Sequence, residues 1–97
     1  SFDVSSSVEF KKAIEYYTGN ATELIETTPV RRYHLNEDVE GVDIKRLGLI
    51  VQESPVEIVN TDGGQTIDLY QMTSLLWKSN QELSARLKIL ENKGVIA

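Results

Sequence analysis

Cysteine is missing from the sequence, which excludes both a disulfide framework and a thiolate metal site. A cysteine-free chain is compatible with synthesis in a reducing cytoplasm. Histidine occurs once, as His34, and a lone imidazole does not make a metal centre; beside Tyr33 it reads as a strand-surface or packing residue. No apolar run approaches the roughly 20 residues that a membrane-spanning helix needs. The N-terminus lacks the charged-then-apolar pattern of a signal peptide. Basic residues are the minority, 10 Lys and Arg against 15 Asp and Glu, for a net charge of -5. Phosphate recognition demands clustered cations, whereas Arg31-Arg32 and Lys45-Arg46 are isolated pairs. These features argue against nucleic-acid and membrane partners. Asp62-Gly63-Gly64 is a turn rather than a phosphate loop, because no Lys-Ser or Lys-Thr follows it. The residues require no cofactor and leave a nucleotide or other small regulator open as a ligand.

What remains is a chain of 97 residues, one domain's worth, whose own core must be thin. Association with further copies is an obvious source of stability. Residues 1–5 carry no periodic signal and read as an extended lead-in. From Ser7, a candidate N-cap, Val8, Phe10, Ala13, Ile14 and Tyr17 give the apolar face of a helix. Gly19-Asn20 is a helix stop, and Leu24 and Ile25 suggest a short further helical turn. Pro29 opens a strand-like run from Val30 to Leu35, and a second runs from Lys45 to Gln52. After Pro55, the residues Val56 to Val59, the Asp62-Gly63-Gly64 turn and Thr66 to Asp68 form an expected hairpin. The expected fold class is α+β: an N-terminal helix, a small antiparallel sheet over 30–68, and a long C-terminal helix.

That last helix has the clearest signature. Leu69, Leu76, Leu83 and Leu90 recur every seven residues, with Thr73, Asn80 and Leu87 at the companion positions. A strict heptad keeps one seam turned toward partner helices. Met72, Leu75, Trp77 and Ile89 widen the stripe beyond a two-stranded zipper. Periodicity leaves two readings: a bundle of more than two helices, or one amphipathic helix covering its own sheet. Gly94 is the expected C-terminal stop.

Taken in order, three segments resemble the intramolecular chaperone, auto-processing domains found at the C-termini of phage tailspikes, endosialidases and tail fibres. Ser6-Ser7-Val8-Glu9-Phe10-Lys11-Lys12-Ala13-Ile14 is similar in spacing to the family's Ser-Asp-x-x-Leu-Lys-x-x-Ile. Gly48-Leu49-Ile50-Val51-Gln52-Glu53 resembles its Gly-Phe-Ile-Ala-Gln-Glu strand. Ile67-Asp68-Leu69 resembles its Val-Asp-Tyr entry to a long helix, with Leu69 where tyrosine is usual. Ser7 stands where the family has Asp, and a looser likeness points to pre-neck appendage proteins of small Bacillus phages. The resemblance implies an intertwined homotrimer that aligns an upstream tailspike or appendage region of the same precursor. It places this work in the host cytoplasm during virion assembly. Residues 1–97 then read as a single domain, with 1–5 a cleavage lead-in, 6–68 helix plus sheet, and 69–93 the coiled-coil-like helix.

The resemblance also implies a single-turnover self-cleavage in which Ser6 is the nucleophile and Lys11 its base. A serine hydroxyl needs such a base, and a lysine serves only as the free amine. On a straight helix the two lie about one and a half turns apart. They could meet through a folded-back lead or through a Lys11 from a neighbouring chain, which would make cleavage wait for assembly. The implied scissile bond precedes Ser6, with Ser1 as the second choice of junction; five residues still precede Ser6, so that bond is expected to be uncut in this chain. Glu53 and Asp68 are expected to make structural hydrogen bonds. The competing expectation, of a different class, is a permanent non-catalytic trimerisation or attachment module of a phage fibre.

Overall fold

A computed structural model describes residues 4–60 and 62–94. It contains a short helix α1 (Ala21–Glu26), strands β1 (Arg31–Tyr33) and β2 (Arg46–Gly48), and a long helix α2 (Leu69–Asn92), so the chain is a small α+β structure. Single 3₁₀ turns occupy Val8–Phe10, Val51–Glu53 and Val56–Ile58. The alternative cleavage junction at Ser1 lies outside the described residues.

Helix α2 starts and stops where local chemistry dictates. Asp68 caps its N-terminus, accepting the Gln71 N–H at 3.0 Å. Lys93 closes the other end, and Gly94 follows in the left-handed region with φ 71°. Its contact face is Met72, Leu75, Ser79 and Glu82, spaced to align along one side. Leu75 meets Ala21 of α1 and Ile58 in the only cluster of buried apolar residues among those described, with Leu24, Ile25, Leu49, Ile67 and Met72 packed around it.

The expected helix from Ser7 to Tyr17 is absent. One 3₁₀ turn forms at Val8–Phe10 and the chain then runs irregularly to Asn20. The reason is physical: Val8, Phe10 and Ile14 all remain exposed, so the apolar face has nothing to pack against. A segment this short is marginal as a helix without tertiary burial, and its β-branched and aromatic residues add little propensity. Ala13 even adopts φ 52°, which breaks any helical run.

The sheet is also smaller than expected. Three residues pair on each side, in the register Arg31–Gly48, Arg32–Leu47 and Tyr33–Arg46. A Cβ on Gly48 would lie 2.9 Å from the Tyr33 hydroxyl, so the ring lies across the bare backbone of its neighbour. The predicted hairpin shrinks to one bridge, Val59 to Ile67, around the Gly63-Gly64 turn. The backbone bonds Asn60 N–H to Thr66 O (2.8 Å) and Asp68 N–H to Ile58 O (2.7 Å) hold it. After Gly48 the second predicted strand bends into the 3₁₀ turn at Val51–Glu53 instead of continuing to Gln52. Of its apolar residues Leu49 packs on the cluster under α2, and among the described residues the sheet has two strands.

Candidate functional site

Losing the first helix is what brings Ser6 and Lys11 together. Ser7 has extended backbone (φ -66°, ψ 146°) and caps the 3₁₀ turn, which is closed by Phe10 N–H to Ser7 O and Lys11 N–H to Val8 O, each 3.1 Å. Lys11 leaves the turn extended (φ -129°, ψ 154°), and its side chain reaches back. The ammonium nitrogen Nζ lies 2.7 Å from Ser6 Oγ and 2.8 Å from the Ser6 carbonyl oxygen. Both residues belong to one chain, so no neighbour is needed to form the pair. The awkward helical separation disappears because a tight turn replaces one and a half turns of α-helix.

A third group completes the cluster. The Tyr70 hydroxyl lies 3.0 Å from Ser6 Oγ, across 64 residues of sequence. Tyr70 sits in the first turn of α2, two residues after the Asp68 cap, in a turn tied down by Asp68 N–H to Ile58 O (2.7 Å) and Met72 N–H to Asp68 O (2.9 Å). Nothing in the sequence links it to Ser6; a tyrosine in a helix's first turn is the only mark it leaves.

The arm between Ser6 and α1 has a second anchor. Tyr17 donates to Glu57 Oε2 at 3.2 Å, and its phenol is pushed above the ordinary tyrosine range by partial burial and by the Glu57 carboxylate beside it. Gly19 permits this placement, since a Cβ there would lie 2.2 Å from the Tyr17 hydroxyl.

The remaining polar candidates lie elsewhere. Glu53 forms a two-pronged pair with Arg31, Nε to Oε1 at 2.9 Å and Nη2 to Oε2 at 2.7 Å. Asp68 is engaged by the Gln71 backbone and side chain, both at 3.0 Å. His34 Nε2 stands 3.5 Å from Asp43 Oδ1. Among the described residues no group of three or more His, Cys, Asp or Glu is placed to hold a metal ion, and no helix is long and apolar enough to cross a membrane. An apolar groove lined by Ile25, Val30, Leu49, Ile58, Met72 and Leu75 shares no residue with the Ser6–Lys11–Tyr70 cluster.

No family model, curated protein or solved structure matches the chain.

Proposed function

We propose that this chain is an intramolecular chaperone that trimerises, aligns an upstream phage tailspike or appendage region, and then severs itself before Ser6. The single observation that carries the catalytic half is the 2.7 Å approach of Lys11 Nζ to Ser6 Oγ, at the five-residue spacing of the family it resembles. In the proposed reaction Ser6 Oγ attacks the Ser5 carbonyl carbon and passes its proton to Lys11. The bond from that carbon to the Ser6 nitrogen breaks, and the lysine proton moves to the departing amine. Water then hydrolyses the ester between Ser5 and Ser6 Oγ, leaving a Ser5 carboxylate, a free Ser6 amine and a regenerated hydroxyl. The event occurs once per chain.

Surface and shape support the assembly half. The accessible surface is 8361 Å², against about 5,600 Å² for a compact monomer of this length. The radius of gyration is 17.9 Å, against about 12.5 Å for a compact chain. The excess, roughly 2,800 Å², is on the scale that a protomer of an obligate oligomer gives up to its partners. Leu76 and Leu83 are each 48% exposed and Leu90 38%, so the heptad seam is open to partner helices. It lies roughly a quarter of a turn or less from the face that packs on α1. A lysine acts as base only as the free amine, which exclusion of water favours. Ser6 and Lys11 are exposed in the single chain, so in this reading assembly supplies the cover and cleavage follows trimerisation. Shafts with weakly specified strand register gain from such a removable clamp, and its release leaves them kinetically trapped.

The open leucine seam also serves a second reading that does without the chemistry, a permanent trimerisation or attachment module. Expression of the precursor, upstream region included, decides between them. Cleavage that stops on Ser6→Ala, seen on a denaturing gel, supports self-processing; a Ser6→Ala precursor cut at the normal rate sinks it. Mass spectrometry of mature particles adds the complement, because a permanent module stays in the virion.

A further inference from the structure

Resting on the self-cleavage reading above, we propose that Tyr70 is the third member of the site and makes cleavage depend on the docking of Ser6 against the start of α2. When the Ser6 hydroxyl proton points at Lys11 Nζ, 2.7 Å away, the Tyr70 hydroxyl at 3.0 Å donates to a lone pair of the same oxygen. Two of the three free directions at Oγ are then occupied and the remaining lone pair is aimed. As Oγ gives its proton to Lys11 and bonds to the Ser5 carbonyl carbon, the Tyr70 hydrogen bond stabilises the charge developing on it. Tyr70 keeps its own proton throughout. The hydroxyl thus acts in the ester-forming step, whatever it adds when the same oxygen leaves during hydrolysis.

The placement also carries information. Tyr70 is one residue into the helix that bears the leucine heptad. Asp68 caps that turn, and the Asp68 N–H ties it to Ile58 O at 2.7 Å, next to the apolar cluster. The phenol therefore stands beside Ser6 only when α2 is formed to its first turn and seated. An arm that carries Ser6 and Lys11 with α2 unformed holds the pair but lacks the donor. The site reads the folded state of the helix directly, within one chain.

The test uses the full precursor with its upstream region, following its first-order disappearance on denaturing gels. Tyr70→Phe keeps the ring and removes only the hydroxyl. It is expected to slow cleavage roughly 10- to 100-fold, the scale of a misplaced reacting group, with helical circular dichroism and light-scattering mass unchanged. Hydroxylamine, which cleaves esters, should not restore the rate, because ester formation is the impaired step. Cleavage of Tyr70→Phe within about twofold of the unmodified rate, or its full rescue by hydroxylamine, overturns the proposal. Ser6→Ala runs in parallel. If Ser6→Ala is cut normally, self-cleavage itself fails; if Ser6→Ala is blocked while Tyr70→Phe is unimpaired, only the Tyr70 role fails. Should Tyr70→Phe alter the mass, Asp68→Ala loosens the same turn without touching the three site residues. It must then slow cleavage in the same hydroxylamine-insensitive way, and an unchanged rate overturns the coupling.

Discussion

Glu82 of α2 grips Thr22 of α1. Its Oε1 accepts the Thr22 backbone N–H at 2.8 Å and the Thr22 hydroxyl at 2.7 Å, while Oε2 takes the Ala21 N–H at 3.1 Å. One carboxylate from a distant helix thereby satisfies the first N–H groups of α1 and sits at the positive end of its dipole. The Thr22 hydroxyl also meets the Ser79 hydroxyl at 2.9 Å in a buried contact. Thr22→Val should cost about 1–3 kcal/mol by leaving buried polar partners unmatched. Thermal denaturation of Thr22→Val, Ser79→Ala and the pair should show effects that do not add, since the groups share one network.

Acid should loosen the fold through the same carboxylate. Hydrogen bonds from the Thr22 side chain and backbone hold the Glu82 carboxyl below the ordinary glutamate value. Asp38 is lowered by the Arg46 guanidinium, Glu53 by Arg31 and Asp68 by the Gln71 backbone N–H. A carboxyl depressed in the folded state stabilises it at any pH above the unfolded value, near 4. That contribution disappears as pH falls through the lower folded values. Melting temperature should therefore be nearly flat from about pH 5 to 8 with respect to these groups and should drop below about pH 4. Glu82→Gln should reduce the size of that drop.

Leu75 and Leu83 lie on different faces of α2 and have opposite expected phenotypes. Leu75 is 7% exposed in the cluster, so Leu75→Ala should cost about 2–5 kcal/mol in denaturant unfolding. Leu83 and Leu90 lie on the open seam, 48% and 38% exposed, and Leu83→Glu with Leu90→Glu should leave the single-chain core intact. In the proposed trimer the same pair of changes should reduce the light-scattering mass to that of one chain.

Trp77 is the one tryptophan in the sequence and is 70% exposed beside the seam. Its emission should move to shorter wavelength as concentration rises and neighbouring helices cover it. Emission independent of concentration, together with a single-chain mass, would count against assembly through this seam.

Gly19→Ala should free the N-terminal arm. The new methyl would displace the Tyr17 ring and break its hydrogen bond to Glu57. Trypsin should then cut after Lys11 and Lys12 sooner than in the unmodified protein, while cleavage within α2 stays slow.

Local chemistry was legible in the sequence wherever it acts over a few residues. The heptad from Leu69 to Leu90 and the Gly94 stop outline α2, and the structure places it at Leu69–Asn92; that Asp68 caps it is seen only in the structure. The Gly63-Gly64 turn and the short helix near Leu24 were equally readable, because capping, positive φ and helical periodicity are properties of neighbouring residues. The Ser6–Lys11 spacing was readable too, although its geometry was not. Tertiary packing decided the rest. It left Val8, Phe10 and Ile14 uncovered, so the first helix never formed and Lys11 could turn back on Ser6. It chose Met72, Leu75, Ser79 and Glu82 as the face of α2 that meets α1, leaving the leucine heptad open. It brought Tyr70 to Ser6 and Glu82 to Thr22 across 64 and 60 residues. Contacts at such separations carry no local pattern, because they depend on where burial and loop closure bring the chain back on itself.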